Sequence, residues 1–584
     1  MPKSRFAMYA PFLVLALVQA IFVAAFPSTG TDRAVGTTGF DSDQFATGTN
    51  GTGTGGSGSS SSGLAGGVPG VDGAPGGGSD AGAGAGGTAG GGGGGEGAGG
   101  GDGAGGGSGG GGGGAAAAEG DTSHCAGARQ MNVFAVEFEN PPCKPKWPEG
   151  ADNGGDTWTG VTADTIKVVI IEPAPNEQVD AILRSQGLAS TPQDREAVRV
   201  AATGFVNKYY ETYGREVVFE RFVARCPTSP ADVPTCIADA RKVIEKQPFA
   251  VFFAQPSYPE LFEEFTRAGI LSIGGWHFDK SLFVERRPFR WDIFVDGTDS
   301  AEFIAEYYCK KMQGKAASNA GALIHPQVGG RNTTRRLGIV VPDRPANKST
   351  ADLVAARVRA CGGNPVVDTY PNNIDRAQSE ANRIVSGMVS EGVTTVVCMC
   401  DPIFPVFLTA SASAASYFPE HLLPGLGLLD ADVVGRLYTR EQWIHAFGPS
   451  HLADTRPFAD EQVSRVFKDQ GMGTPCNSCN LPWVYYSLFA SMVHNAGPNL
   501  NPGTVEAGLF GLEKTRGTGV TIGLGFRPGD YAAIDDIREA YWVPTARSQV
   551  DGNTGSYRSI DNGKRYVLGE FTSEFKVPVE PTQG

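Results

Sequence analysis

Past a glycine-rich stretch, the apolar residues of this chain fall into two alternating rhythms. Short apolar runs read as strands: Ile166-Lys-Val-Val-Ile-Ile171, whose β-branched content favours burial on both faces, residues 216–222, the buried Phe249-Ala-Val-Phe-Phe-Ala254 and Ile270-Leu-Ser-Ile-Gly274. Between them the spacing turns helical. Val198, Ala202, Phe205 and Tyr209 share one face of a helix of about twenty residues from Gln193. Residues 231–246 predict a second helix with Ile237, Ala240 and Ile244 inward, and residues 259–268 a third. The rhythm restarts with the strand Leu337-Gly-Ile-Val-Val341. A helix capped by Ser349 follows, carrying Val354, Val358 and Cys361 and stopped by Gly362-Gly363. Residues 365–370 are a strand, a helix from Asp375 buries Ala381, Ile384, Val385 and Met388, and residues 393–400 are another strand. Repeated strand–helix units specify a parallel sheet with helices on both faces. Two tandem α/β halves, linked through residues 289–295 and a helix reaching Met312, leave a cleft walled by the loops at the strand C-termini.

The flanking composition sets the compartment. Gly accounts for 83 of the 584 residues, most of them between about residues 47 and 114, where too little apolar surface remains to offset the entropy of ordering. Lys3 and Arg5 precede an apolar run over residues 6–26, which reads either as a cleaved signal, with Val23-Ala24-Ala25 as the cut site, or as an uncleaved anchor. Both place the rest of the chain outside the membrane. No Cys near the end of that run offers a lipid-modified anchor. As a random coil the linker spans about 45–55 Å. The net charge of −14, with no basic block, argues against nucleic acid or anionic lipid as partner, leaving the N-terminal segment as the only contact with a membrane.

Ten cysteines in an exported chain read as disulfides. Cys125 with Cys143, Cys226 with Cys236, and Cys476 with Cys479 are the local pairings. Cys309 with Cys361 joins two helices, leaving Cys398 and Cys400 on one strand. Cys476-Asn-Ser-Cys479 has a redox or zinc half-site as its alternative reading.

Three groups of residues carry a further likeness. They are Gly160-Val-Thr-Ala-Asp-Thr-Ile-Lys-Val168, then Arg336-Leu-Gly-Ile-Val-Val341 with Ala360-Cys-Gly-Gly363, and finally Phe526-Arg-Pro-Gly-Asp-Tyr531 with Glu539-Ala-Tyr-Trp-Val543. In order and spacing, over about residues 158–575, the chain resembles the type I periplasmic binding proteins of the branched-chain amino-acid class that serve ABC importers, and is similar to actinobacterial members. The resemblance implies an α/β fold of two Rossmann-like lobes with parallel sheets and a hinged cleft. The expected division is a signal or anchor over residues 1–27, a linker over 28–122, a disulfide-closed collar over 123–160, lobe one over 161–300 and lobe two over 301–430. Residues 431–584 complete both lobes. Amino-acid-binding relatives hold the ligand carboxylate in a Ser/Thr-rich loop after the fourth strand. Here that loop is Ile273-Gly-Gly-Trp-His-Phe-Asp279, with no Ser or Thr before Ser281, which departs from amino-acid specificity.

The candidate binding residues all follow strand ends. Gly274 and Gly275 offer backbone N–H groups, and Trp276 with His277 a planar surface, unless the Trp closes the core edge. Gln255, Ser257 and Tyr258 precede a helix whose N–H groups suit an anion, with Ser257 alternatively a cap. Asp343 and Arg344, Asp401 and Asp430 face the cleft; the acids either meet a ligand ammonium or stabilise turns. Glu172 is a weaker candidate of the same kind. The seven histidines form no H-x-x-x-H pair, and there is neither a phosphate loop nor a nucleophile elbow, so no metal, cofactor or catalytic set is expected. The expected function is capture of a small solute (an amino acid, an amide or similar) by lobe closure for an ABC permease. The alternatives are a ligand-sensing subunit for a membrane signalling partner and a secreted α/β hydrolase.

Overall fold

Strand β1 (Thr165–Glu172) lies second in a five-stranded sheet with β2 (Glu216–Val223), β3 (Ala250–Phe253), β4 (Leu271–Ile273) and β5 (Arg290–Trp291), all parallel and in the order β2-β1-β3-β4-β5. The computed structural model describes residues 120–134, 140–185, 187–226, 232–253, 259–275 and 278–578, so the N-terminal apolar run and nearly all of the linker lie outside the described residues. A small hairpin, β6 (Leu323–His325) with β7 (Gly329–Gly330), precedes the second sheet. There β8 (Leu337–Pro342), β9 (Val366–Tyr370), β10 (Thr395–Cys398), β11 (Glu420–Leu422) and β12 (Ala446–Ser450) pair in parallel in the order β9-β8-β10-β11-β12. Each half thus uses the same strand order. The second extends further, through β13 (Ile537–Arg547) antiparallel to β12, with β14 (Thr554–Ser559) and β15 (Arg565–Tyr566) antiparallel to β13.

A parallel sheet needs cover on both faces, and the first half draws part of that cover from far along the chain. One face takes the Pro192–Tyr209 helix through Val198, Ala202 and Phe205. The same face of the body meets the Asn480–Ala496 helix, whose Tyr486 and Phe489 rings pack edge-on against Phe219 and Phe252. The chain therefore passes between the halves three times, through residues 292–296, 451–461 and 511–536. The first and third passages lie side by side: Asp292 N donates to Tyr531 O at 3.0 Å and Ala533 N to Asp292 O at 3.0 Å.

The free edge of β2 is protected by side chains. Asn207 accepts from Val217 N at 2.8 Å and returns its amide to Val217 O at 3.0 Å, while Arg199 donates to Phe219 O. Such blocking removes the template for edge-to-edge pairing.

Two helix expectations need correction. The Val233–Ile244 helix buries Cys236, Asp239, Ala240 and Val243, with Ile244 partly buried against the core and Ile237 only half-buried at its edge; Cys236, bonded to Cys226, fixes this rotation. The Pro345–Ala360 helix begins before Ser349, with Arg344 at the N-cap; Pro345, its φ already fixed near the helical value, starts it. The ten cysteines form five disulfides, Cys125–Cys143, Cys226–Cys236, Cys309–Cys361, Cys398–Cys400 and Cys476–Cys479.

Residues 120–134 and 140–161 are fastened to the first half. Gln130 donates to Tyr209 O, Trp147 N to Glu211, and Trp147 meets Tyr213 edge-on. His494 accepts from Glu211 N at 3.0 Å through Nδ1 and donates from Nε2 to Pro142 O at 2.8 Å, which fixes its neutral tautomer. Burial lowers its pKa to about 4. Against an unfolded value near 6.5, the unfolded chain binds the proton first, so this residue's contribution is complete above pH 6.5 and is lost as pH falls towards 4. In urea titrations, the stability margin of the wild type over His494→Gln should narrow by about 2 kcal/mol between pH 7 and pH 5.

Candidate functional site

The three passages and the strand ends beside them enclose a cavity of about 150 Å³. Since one water needs only ~10–15 Å³ of such space, this is room for a molecule on the order of ten non-hydrogen atoms. Ile293 and Phe294 enter from the first passage, residues 452–456 from the second, and residues 520–522 with Leu524 and Ile534 from the third. The second half contributes residues 430–433 beyond β11, together with Arg538 of β13. Glu461, Gln462, Asn480 and Val484 come from the starts of the two helices that return to the first half.

The loop before Asp430 is tightly constrained. Gly425 and Gly427 have φ near +62°, and a Cβ at Gly427 would stand 2.6 Å from the Cys400 carbonyl oxygen. Leu428, buried, also takes a positive φ of 59°, a conformation that costs a branched side chain energy and that clusters at functional sites. This turn delivers Asp430 to the cavity wall at 2% exposure, where neither carboxylate oxygen makes a hydrogen bond of good geometry, the Ser450 hydroxyl and the Leu452 N–H being its nearest donors. Burial raises its pKa above the ordinary carboxylate value, while the Ser450 hydroxyl and the Arg538 guanidinium oppose that rise.

The other charges of the wall are committed. Asp432 accepts from Ser556 Oγ and Tyr557 N, both at 2.8 Å, and so pins β14. Arg538 donates to Leu452 O at 2.8 Å and also binds Asp454 and Ser559. Arg456 pairs with Glu461 at 3.5 Å, and Glu461 accepts from Asn480 Nδ2 at 3.2 Å. Burial raises the Asp432 and Glu461 pKa values too.

The remaining candidates are dispersed. Asp401 is buried and accepts from Ile403 N and Phe404 N at 2.8 and 3.0 Å and from Tyr370 OH at 2.9 Å, a turn-stabilising arrangement. Arg344, also buried, acts electrostatically on both Asp401 and Tyr370. Asp343 is half-exposed and ion-paired with Lys348. Gly275 has φ 125°, and a Cβ there would meet the Phe278 ring at 2.8 Å, so the loop end depends on glycine. Glu172 is buried between Arg195 and Arg221. Gln255, Ser257, Tyr258, Trp276 and His277 lie outside the described residues. Sequence reasoning missed Arg538, Asp454, Glu461 and Asn480, which reach the wall only through the tertiary fold. The one signal for them is that they flank the passages between halves.

Across the cleft mouth, Asp279 of the first half accepts from Ser349 and from Thr350 Oγ1 (3.1 Å), and Gln178 donates to Asp375 at 3.3 Å. Asp296, Asp299 and Asp530 come within 4.8 Å of one another, but Lys280 and Arg527 already pair with them, Lys280 Nζ lying 2.6 Å from Asp299 and 3.5 Å from Asp296 and Arg527 3.0 Å from Asp530.

No family model matches the chain, and no curated protein matches it in sequence. Among solved structures it is similar to a solute-binding protein of an ABC transporter from Rhodopseudomonas palustris HaA2, with 13% identity over 69% of this chain and 98% of that one and a TM-score of 0.48. It is also similar to an ABC-transporter substrate-binding protein of Aeropyrum pernix (13% identity, 70% and 97% covered, TM-score 0.48). A periplasmic binding protein type 1 of Bordetella pertussis Tohama I shows 12% identity, 68% and 100% coverage and a TM-score of 0.48.

Arg538 ties β13 to the second passage with a buried charge. Arg538→Met takes a donor from Leu452 O and a partner from the one-third-exposed Asp454 and should destabilise the protein by about 1–3 kcal/mol in chemical denaturation.

Proposed function

We propose that this protein is an extracytoplasmic solute-binding protein that captures one small molecule between its two α/β halves and presents the closed form to an ABC permease. The observation that carries the reading is the cavity itself: residues of both halves and of all three passages wall a space of small-molecule size. Rotation about the passages opens or shuts such a space without breaking either sheet. No covalent step is involved. The hydrogen bonds from Ser349 and Thr350 to Asp279 hold the halves together around the solute, and Gln255, Ser257, Tyr258, Trp276 and His277, outside the described residues, are further candidates for contact with it. The chain works outside the membrane, on a glycine-rich tether that follows its N-terminal signal or anchor segment.

A thermal-shift screen of amino acids, amides, carboxylates and amines tests the reading. A binder at ~100 times its Kd adds about 2.7 kcal/mol of stability, and Val484→Trp, which fills the cavity, should erase the shift while leaving the circular dichroism unchanged. A screen with no shift from any solute would sink the proposal. With a binder in hand, Asp279→Ala should raise the dissociation rate several-fold in stopped-flow measurements and change the association rate little, because the bridge forms only after encounter.

A further inference from the structure

We propose that the cavity selects a small organic monocation, an amine or ammonium compound with an apolar body and no carboxylate. The inference rests on the solute-binding reading and names the class of solute. Four carboxylates, those of Asp430, Asp432, Asp454 and Glu461, stand in the wall against two guanidiniums. Both guanidiniums are engaged, Arg538 by Asp454 and Ser559, and Arg456 by Glu461. A carboxylate ligand would therefore enter a largely aliphatic space whose acids outnumber its guanidiniums two to one, both guanidiniums already paired.

Helix N-termini offer an anion no alternative. The Gln462–Asp469 and Asn480–Ala496 helices both begin at this wall, where Glu461 immediately precedes the first and accepts a hydrogen bond from the leading residue of the second. That carboxylate already answers their positive ends.

Asp430 supplies the opposite preference. A buried carboxylate whose nearest donors, the Ser450 hydroxyl and the Leu452 N–H, meet it at poor geometry is costly, and replacing it by a neutral side chain of similar volume relieves the cost. Its retention at the end of a strained turn makes sense if a ligand's charge meets it. Around it Ile293, Phe294, Leu452, Val484, Ile522 and Ile534 offer an apolar wall for the rest of the molecule.

Calorimetry and thermal shift on the whole chain, with compounds matched in shape, decide the matter. 3-Methylbutylamine and 2-phenylethylamine should bind at least tenfold more tightly than 3-methylbutanoate, phenylacetate, 3-methylbutanamide and leucine. Asp430→Asn should raise the melting temperature of the unliganded protein and weaken amine binding at least tenfold. A variant that melts lower and keeps amine affinity would make Asp430 a structural residue and overturn the inference. Tighter binding of the acids, the amide or leucine would overturn the cation assignment and leave solute capture standing. No shift from any compound of any charge would remove both. The comparison of amines with acids in the wild type stands even if the variant fails to fold.

Discussion

Cover for the first sheet is the constraint on which the rest of this architecture depends. Phe219 of β2 and Phe252 of β3 project from a parallel sheet that cannot leave a face in water, and the rings that bury them are Tyr486 and Phe489, more than two hundred residues further on. To bring that helix home the chain must leave the second half after β12 and then return to supply β13. Three passages between the halves follow from this one packing requirement. So does the long antiparallel extension of the second sheet, because β13 pairs with β12 at the point where the chain re-enters.

The cavity is a by-product of the same geometry. Three strands of backbone crossing a narrow waist cannot all be covered by regular structure, and the gap between them is filled by whatever their flanking residues provide. Here these are aliphatic side chains together with a set of charges that mostly satisfy one another. The exception, Asp430, sits on a tightly constrained turn, with Gly427 against the Cys400 carbonyl and Leu428 at positive φ. Local strain and an unsatisfied charge at one position mark a place where stability has yielded to another requirement.

Much of the fold was legible because the central strands are buried on both faces. Ile166–Ile171 and Leu337–Val341 announce themselves as unbroken aliphatic runs, and the tandem α/β halves with parallel sheets follow from their alternation with helices. β12 was not legible: Ala446-Phe-Gly-Pro-Ser450 holds Gly and Pro, residues that normally argue against a central strand, and it is held in place by pairing on both sides. On the Val233–Ile244 helix Ala240 and Ile244 pack inward but Ile237 yields its place to Cys236, which a disulfide anchors. For the site, position after a strand end was enough to single out Asp430. The same rule also picked out Asp343, which reaches Lys348 at the surface, and Asp401, which closes its own turn. Residue type and place cannot tell an acid that serves its own backbone from one whose donors meet it at poor geometry; that distinction needs the neighbours.

The late arrival of the Asn480–Ala496 helix also has a meaning in time. At a synthesis rate of about 5–20 residues per second, tens of seconds separate the emergence of β3 from that of the helix which covers it. During that interval one face of the first sheet is covered only by the Pro192–Tyr209 helix, and Phe219 and Phe252 lack the rings that bury them. The order of segments along the chain thus acts as a delay. It keeps the growing polypeptide pliable until nearly all of it has been made, and then lets both halves lock at almost the same moment.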